Sequence, residues 1–149
     1  MKTISILFCF LILVGCAAYT AWHSEWRTLG NQEYFFASIQ AKASAKATQS
    51  GSLAMRRTTC VDATNLLSTS SKLTATLVDF EKYELTETEL KDLGRLIALY
   101  KIKPKQESCQ SSTGSGFFAN PAWETCECLY SIEYPGGRKK FREDLTQVK

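Results

Sequence analysis

The sequence predicts an α+β fold: an N-terminal anchor and stalk helix, a helical hairpin, and a C-terminal β-hairpin stapled by two disulfides. Three observations carry this. Thr86 to Lys101 combines a capping box with an apolar stripe of helical period. Glu124 to Tyr134 alternates with period two, as a half-buried strand does. Four cysteines (Cys60, Cys109, Cys126 and Cys128) follow an apolar leader, an even number in a chain that reads as exported.

Residues 1–22 form the leader. Lys2 precedes an uncharged run, Ile4 to Val14, that closes in Leu13-Val14-Gly15-Cys16. A positive start, an apolar core and small residues after it make the physical pattern of an export signal. Leu13, Gly15 and Cys16 stand at the recognised positions of a lipobox, so the leader resembles that of bacterial lipoproteins. The resemblance implies that Cys16 is lipidated on its thiol and becomes the mature N-terminus. It covers the leader alone. Two other fates suit the same residues. Ala17 and Ala18 fit ordinary signal peptidase, which gives a secreted protein. Ile4 to Trp22 is also about long enough to span a bilayer uncleaved, with Tyr19, Trp22 and Trp26 as an aromatic belt.

Residues 23–52 read as a helical stalk and hinge. Trp22, Trp26, Leu29, Phe36, Ile39 and Ala43 fall three, four or seven apart, which predicts helix from Trp22 to about Thr48, interrupted at Gly30-Asn31. Gln49-Ser50-Gly51-Ser52 supplies the hinge. Residues 53–149 are the small disulfide-stapled extracytoplasmic domain. Within it, Thr58 to Lys82 carries both a helical spacing (Cys60, Ala63, Leu67, Ser70, Leu73 or Thr74, Leu77, Phe80) and a short alternation at Leu73, Ala75 and Leu77. The longer period accounts for more residues and predicts helix.

Thr86 with Glu89 is the capping box that opens the next helix, whose stripe is Leu90, Leu93, Leu96, Ile97 and Tyr100. Pro104 prevents its continuation. Ser111 to Gly116 is a flexible loop by composition, and Asn120-Pro121 marks a turn. After the strand at 124–134, Pro135-Gly136-Gly137 turns the chain, and Arg138 to Leu145 is expected to return as a second strand with Phe141 inward.

A bridge between Cys126 and Cys128 is disfavoured, because neighbours on one face of a strand lack the geometry to close. The two remaining pairings both tie Cys60 and Cys109 to the strand, and each bridge is worth about 2–4 kcal/mol. Thiol or metal chemistry at Cys126-Glu127-Cys128 is the rival reading, but no second cysteine pair or nearby histidine accompanies it.

Function is written more faintly. A net charge of +3 is too weak to argue for nucleic acid. His23 is the sole histidine and lies beside the leader, which leaves no Ser-His pair for the domain. Acidic residues cluster at Asp79, Glu81, Glu84, Glu87 and Glu89, and basic ones at Arg138, Lys139, Lys140 and Arg142; these read as two solvated faces. No cofactor, metal or small-molecule substrate is called for. Phe117, Phe118 and Trp123 beside the flexible loop are the candidate partner-binding residues. The expectation is a non-enzymatic, membrane-tethered extracytoplasmic accessory protein that binds another envelope or secretion component. The alternative is a small exported inhibitor or toxin-like effector acting through the aromatic loop.

Overall fold

The computed structural model describes residues 22–112 and 122–149. Residues 1–21 of the leader, Cys16 included, and Phe117 and Phe118 lie outside them. Four antiparallel strands form one sheet in the order β1-β2-β4-β3: β1 (Glu25–Leu29), β2 (Gln32–Lys42), β3 (Lys105–Ser111) and β4 (Thr125–Glu133). The helices are α1 (Ala45–Gln49), α2 (Leu53–Leu67), α3 (Ser70–Phe80), α4 (Glu87–Leu99) and α5 (Gly137–Val148). Among the described residues, no helix is long and apolar enough to cross a membrane.

The expected stalk helix over 22–48 is instead a β-hairpin followed by the short α1. Gly30 and Asn31 are its two-residue loop, since Leu29 pairs with Gln32, and Gly30 takes a φ of +64°. Glycine at the first central position of such a loop is what a right-twisted hairpin favours. Period two governs β2: Phe35, Ala37 and Ile39 are buried on one face. The spacings of three, four and seven that suggested a helix are accidents of an aromatic-rich strand pair.

The segment 58–82 is helical, as expected, but broken in two. Ser68 ends α2, and the Thr69 hydroxyl accepts from the Lys72 amide to start α3, so the serines and threonines that weaken a helix supply a cap. Helix α4 follows the sequence closely. Thr86 and Glu89 form both bonds of the capping box, and Leu93 and Ile97 are buried.

The end of the chain corrects the C-terminal hairpin. β4 pairs with β2 on one side and β3 on the other, and residues 138–145 belong to α5 rather than to a returning strand. Phe141 and Leu145, four residues apart, fill one helical face. Gly136 and Gly137 both have positive φ, and a Cβ on Gly137 would collide with the Glu33 carboxylate. That close approach lets Glu33 Oε2 accept from the Arg138 amide at 2.9 Å and cap the helix.

The helices pack on one face of the sheet, over Phe35, Ala37, Ile39, Cys128, Tyr130 and Ile132, with Leu73, Leu77, Leu93 and Phe141 completing the core. The β4 residues of the opposite parity, Glu127, Leu129 and Ser131, are buried too, so β4 is enclosed on both faces rather than half-buried.

Candidate functional site

The cysteines converge on the start of β4. Cys60 of α2 bridges Cys126, and Cys109 of β3 bridges Cys128. This selects one of the two open pairings. Alternation explains the arrangement: residues two apart on a strand face the same way, so Cys126 meets the helix above it while Cys128 meets its ladder partner, Cys109. The sulfurs at 126 and 128 thus serve two different bridges, and the Cys-Glu-Cys spacing does not bring them together as a redox pair.

Trp123 closes this end. It is 8% exposed and packs on the Cys60–Cys126 bridge, with the Arg57 guanidinium 5.2 Å from its ring centre. Its φ of +55° is unusual for a bulky residue. Its amide donates to Ser111 Oγ at 3.0 Å, while the Ser112 amide donates to Thr125 O at 2.9 Å. The two ends of the connection between β3 and β4 are therefore pinned to each other. Beside them Arg57, Thr58, Val61, Asp62, Gln106 and Cys109 line a cleft of about 320 Å³.

Between the bridged cysteines, Glu127 turns to the other face of the sheet. Its carboxylate is fully buried and accepts from Ser38 Oγ, Gln110 Nε2 and the Trp22 amide. These contacts tie β2, β3 and the residues ahead of β1 to the middle strand. The sequence marked Glu127 only as the spacer of a cysteine pair.

At the opposite end, two more carboxylates fasten helices. Glu81 accepts from Trp26 Nε1 and pairs with Arg138 and Arg142, while its own side chain is 1% exposed. Burial pushes its carboxyl up, but the hydrogen bonds and charges of the two arginines outweigh that and hold it below the ordinary range. Asp144, fully buried, accepts from Tyr100, Tyr134 and Lys140. Burial again raises and the three donors lower, with a net depression. Tyr134 is driven strongly upward by burial and then by Asp144. One member of the acidic cluster thus meets two of the basic one, a pairing that separation in sequence concealed; Asp79, Glu84 and Glu87 remain exposed.

Arg138, Lys139, Arg142, Glu33 and Glu143 also line a shallow cleft of about 530 Å³, in which charges of both signs are interleaved. Among the described residues, no group of three His, Cys, Asp or Glu side chains could hold a metal ion. A scan against family models finds no match, and neither the curated proteins nor the solved structures give a significant one.

Proposed function

We propose that this chain is a membrane-tethered extracytoplasmic interaction protein, held at its N-terminus and presenting the connection between β3 and β4 to a protein partner in the envelope. The observation that carries the reading is the pinned base of that connection: Ser112 and Trp123 are fixed to Thr125 and Ser111, next to the Cys60–Cys126 bridge. A contact segment fastened at both ends loses less freedom on binding than a free one. Phe117 and Phe118 stand between those ends in the sequence. The two bridges support an oxidising compartment, and the lipobox-like leader supports a lipid anchor on Cys16.

The reading is tested in two steps. Mass spectrometry of the mature protein should find a diacylglyceryl group on Cys16, absent from Cys16→Ala; an intact Met1 points to a retained span, and a start near Tyr19 to secretion. Phe117→Ser with Phe118→Ser should leave the far-UV circular dichroism unchanged and abolish the cross-linked envelope complex formed by the unsubstituted chain. Persistence of that complex in the folded double variant removes the aromatic interface.

A further inference from the structure

The two bridges sit two residues apart on one strand, yet their surroundings differ in kind. Cys60, Cys126 and Cys128 are fully buried, whereas Cys109 is half-buried and lines the 320 Å³ cleft. Cys60–Cys126 is the covalent link from a helix to the sheet and closes 66 residues of chain. Cys109–Cys128 joins two residues that already face each other in the β3–β4 ladder, and it closes only 19. Backbone hydrogen bonds hold β3 in place without it. Strand β3 is also an edge strand, and its register slips between Gln106 and Ser108, where ladders open most easily.

The cleft is polar where the sulfur meets it. Gln106 Nε2 lies 3.1 Å from Cys109 Sγ, and Arg57 lines the same cleft, with Asp62 as the opposing charge. A donor beside Cys109 Sγ stabilises the thiolate that this sulfur becomes when it leaves a mixed disulfide.

We propose that Cys109–Cys128 is an exchangeable disulfide, opened at Cys109 by a dithiol reductant that enters this cleft, while Cys60–Cys126 stays closed as the structural staple. In the first step a reductant thiolate attacks Cys109 Sγ. The sulfur–sulfur bond breaks and its electron pair goes to Cys128 Sγ, which takes up a proton. In the second step the reductant's other thiolate attacks its own sulfur in the mixed disulfide, and Cys109 leaves and is protonated. The dithiol is oxidised to a disulfide; its two electrons and two protons end on Cys109 and Cys128. The product is the same fold with edge strand β3 freed from its covalent tie. This inference stands independently of the aromatic interface proposed above.

Access through the cleft sets the order of opening, because Cys109 lines it while both residues of Cys60–Cys126 are fully buried. The test is graded reduction of the native protein with dithiothreitol, quenched with iodoacetamide and read by peptide mass spectrometry. Alkylation of Cys109 and Cys128 should precede that of Cys60 and Cys126 by at least about tenfold in time, with the far-UV spectrum unchanged. Simultaneous labelling of all four, labelling of Cys60 and Cys126 first, or labelling only with loss of the helical signal overturns the proposal. In Cys128→Ala, the freed Cys109 should react stoichiometrically with Ellman's reagent in the folded state; a folded variant that reacts only in denaturant also overturns it. Should Cys128→Ala not fold, the unsubstituted protein decides the matter.

Discussion

The two ends of the helix-covered sheet face solve one problem with different chemistry. Where β4 begins, α2 is fastened by a covalent bond, Cys60–Cys126, with Trp123 packed over it. Where β4 ends, buried carboxylates do the fastening: Glu81 joins α3 to β1 and α5, and Asp144 joins α5 to α4 and to Tyr134. A bridge constrains the unfolded chain and is indifferent to pH and salt. A buried carboxylate acts on the folded state, and only while ionised and fully partnered. The two ends therefore answer to different conditions, one to redox state and the other to acid, and substitution at each should separate them.

The largest effect is expected at the covalent end. Replacing Cys60 and Cys126 together by alanine removes a 66-residue closure and should cost about 4 kcal/mol, measured by urea denaturation with Cys109–Cys128 intact. A loss no larger than that of the 109–128 double variant would erase the contrast between the bridges. Next comes Asp144→Ala at the ionic end, where two tyrosine hydroxyls lose their acceptor. The cost should be about 2–4 kcal/mol, and it should shrink sharply in Tyr100→Phe/Tyr134→Phe, where no hydroxyl is stranded.

The uneven legibility of the sequence has the same physical root. What is encoded locally could be read: the Thr86–Glu89 capping box and the alternation of β4 each involve neighbours in the chain, while the bridges were legible from the even count of cysteines alone and their pairing was not. Trp22 to Thr48 could not be read correctly, because Trp26, Phe36 and Ile39 satisfy a helical spacing by coincidence while the decisive signal was the Gly30-Asn31 loop. Arg138 to Leu145 reads as a strand in sequence, because a Pro-Gly-Gly turn after a strand suggests a hairpin, yet it is part of α5. Its helix is started from afar, by the Glu33 carboxylate. The buried acids were invisible for the same reason. Glu81 looked like one of a charged run, and its partners lie 57 and 61 residues away. At the candidate site the cysteines and Trp123 stood out by type, while Arg57 and Glu127 had no local mark.

Acid should expose the ionic end. Glu81 and Asp144 both titrate below the ordinary carboxylate range in the folded protein. Groups so depressed contribute stability above their unfolded pKa of about 4 and lose it as pH falls through the folded values. A thermal scan series should be flat from pH 7 to about 5 and then drop by at least about 5 °C in Tm toward pH 2.5. The variant lacking Asp144 should show a shallower fall, and the one lacking Cys60 and Cys126 should keep the full slope from a lower start. An equal slope in all three would mean that the acid response originates elsewhere.

The smallest effect is the sharpest check on where the ionic end draws its strength. Arg142 pairs with Glu81 Oε2, but its side chain is 52% exposed, so water and salt already screen its charge. Arg142→Ala leaves Glu81 with Arg138 and Trp26 and should cost only about 0.5 kcal/mol, a difference that should vanish in 1 M salt. Arg138 is less exposed, lies over the Phe80 ring and contributes two nitrogens to the same carboxylate. Its replacement by alanine should cost more and keep most of that cost in salt. If the two substitutions proved equal, the carboxylate would be responding to total positive charge nearby rather than to the fixed geometry of Arg138. The ionic end would then be a diffuse attraction between α5 and the turn after α3, not a second staple.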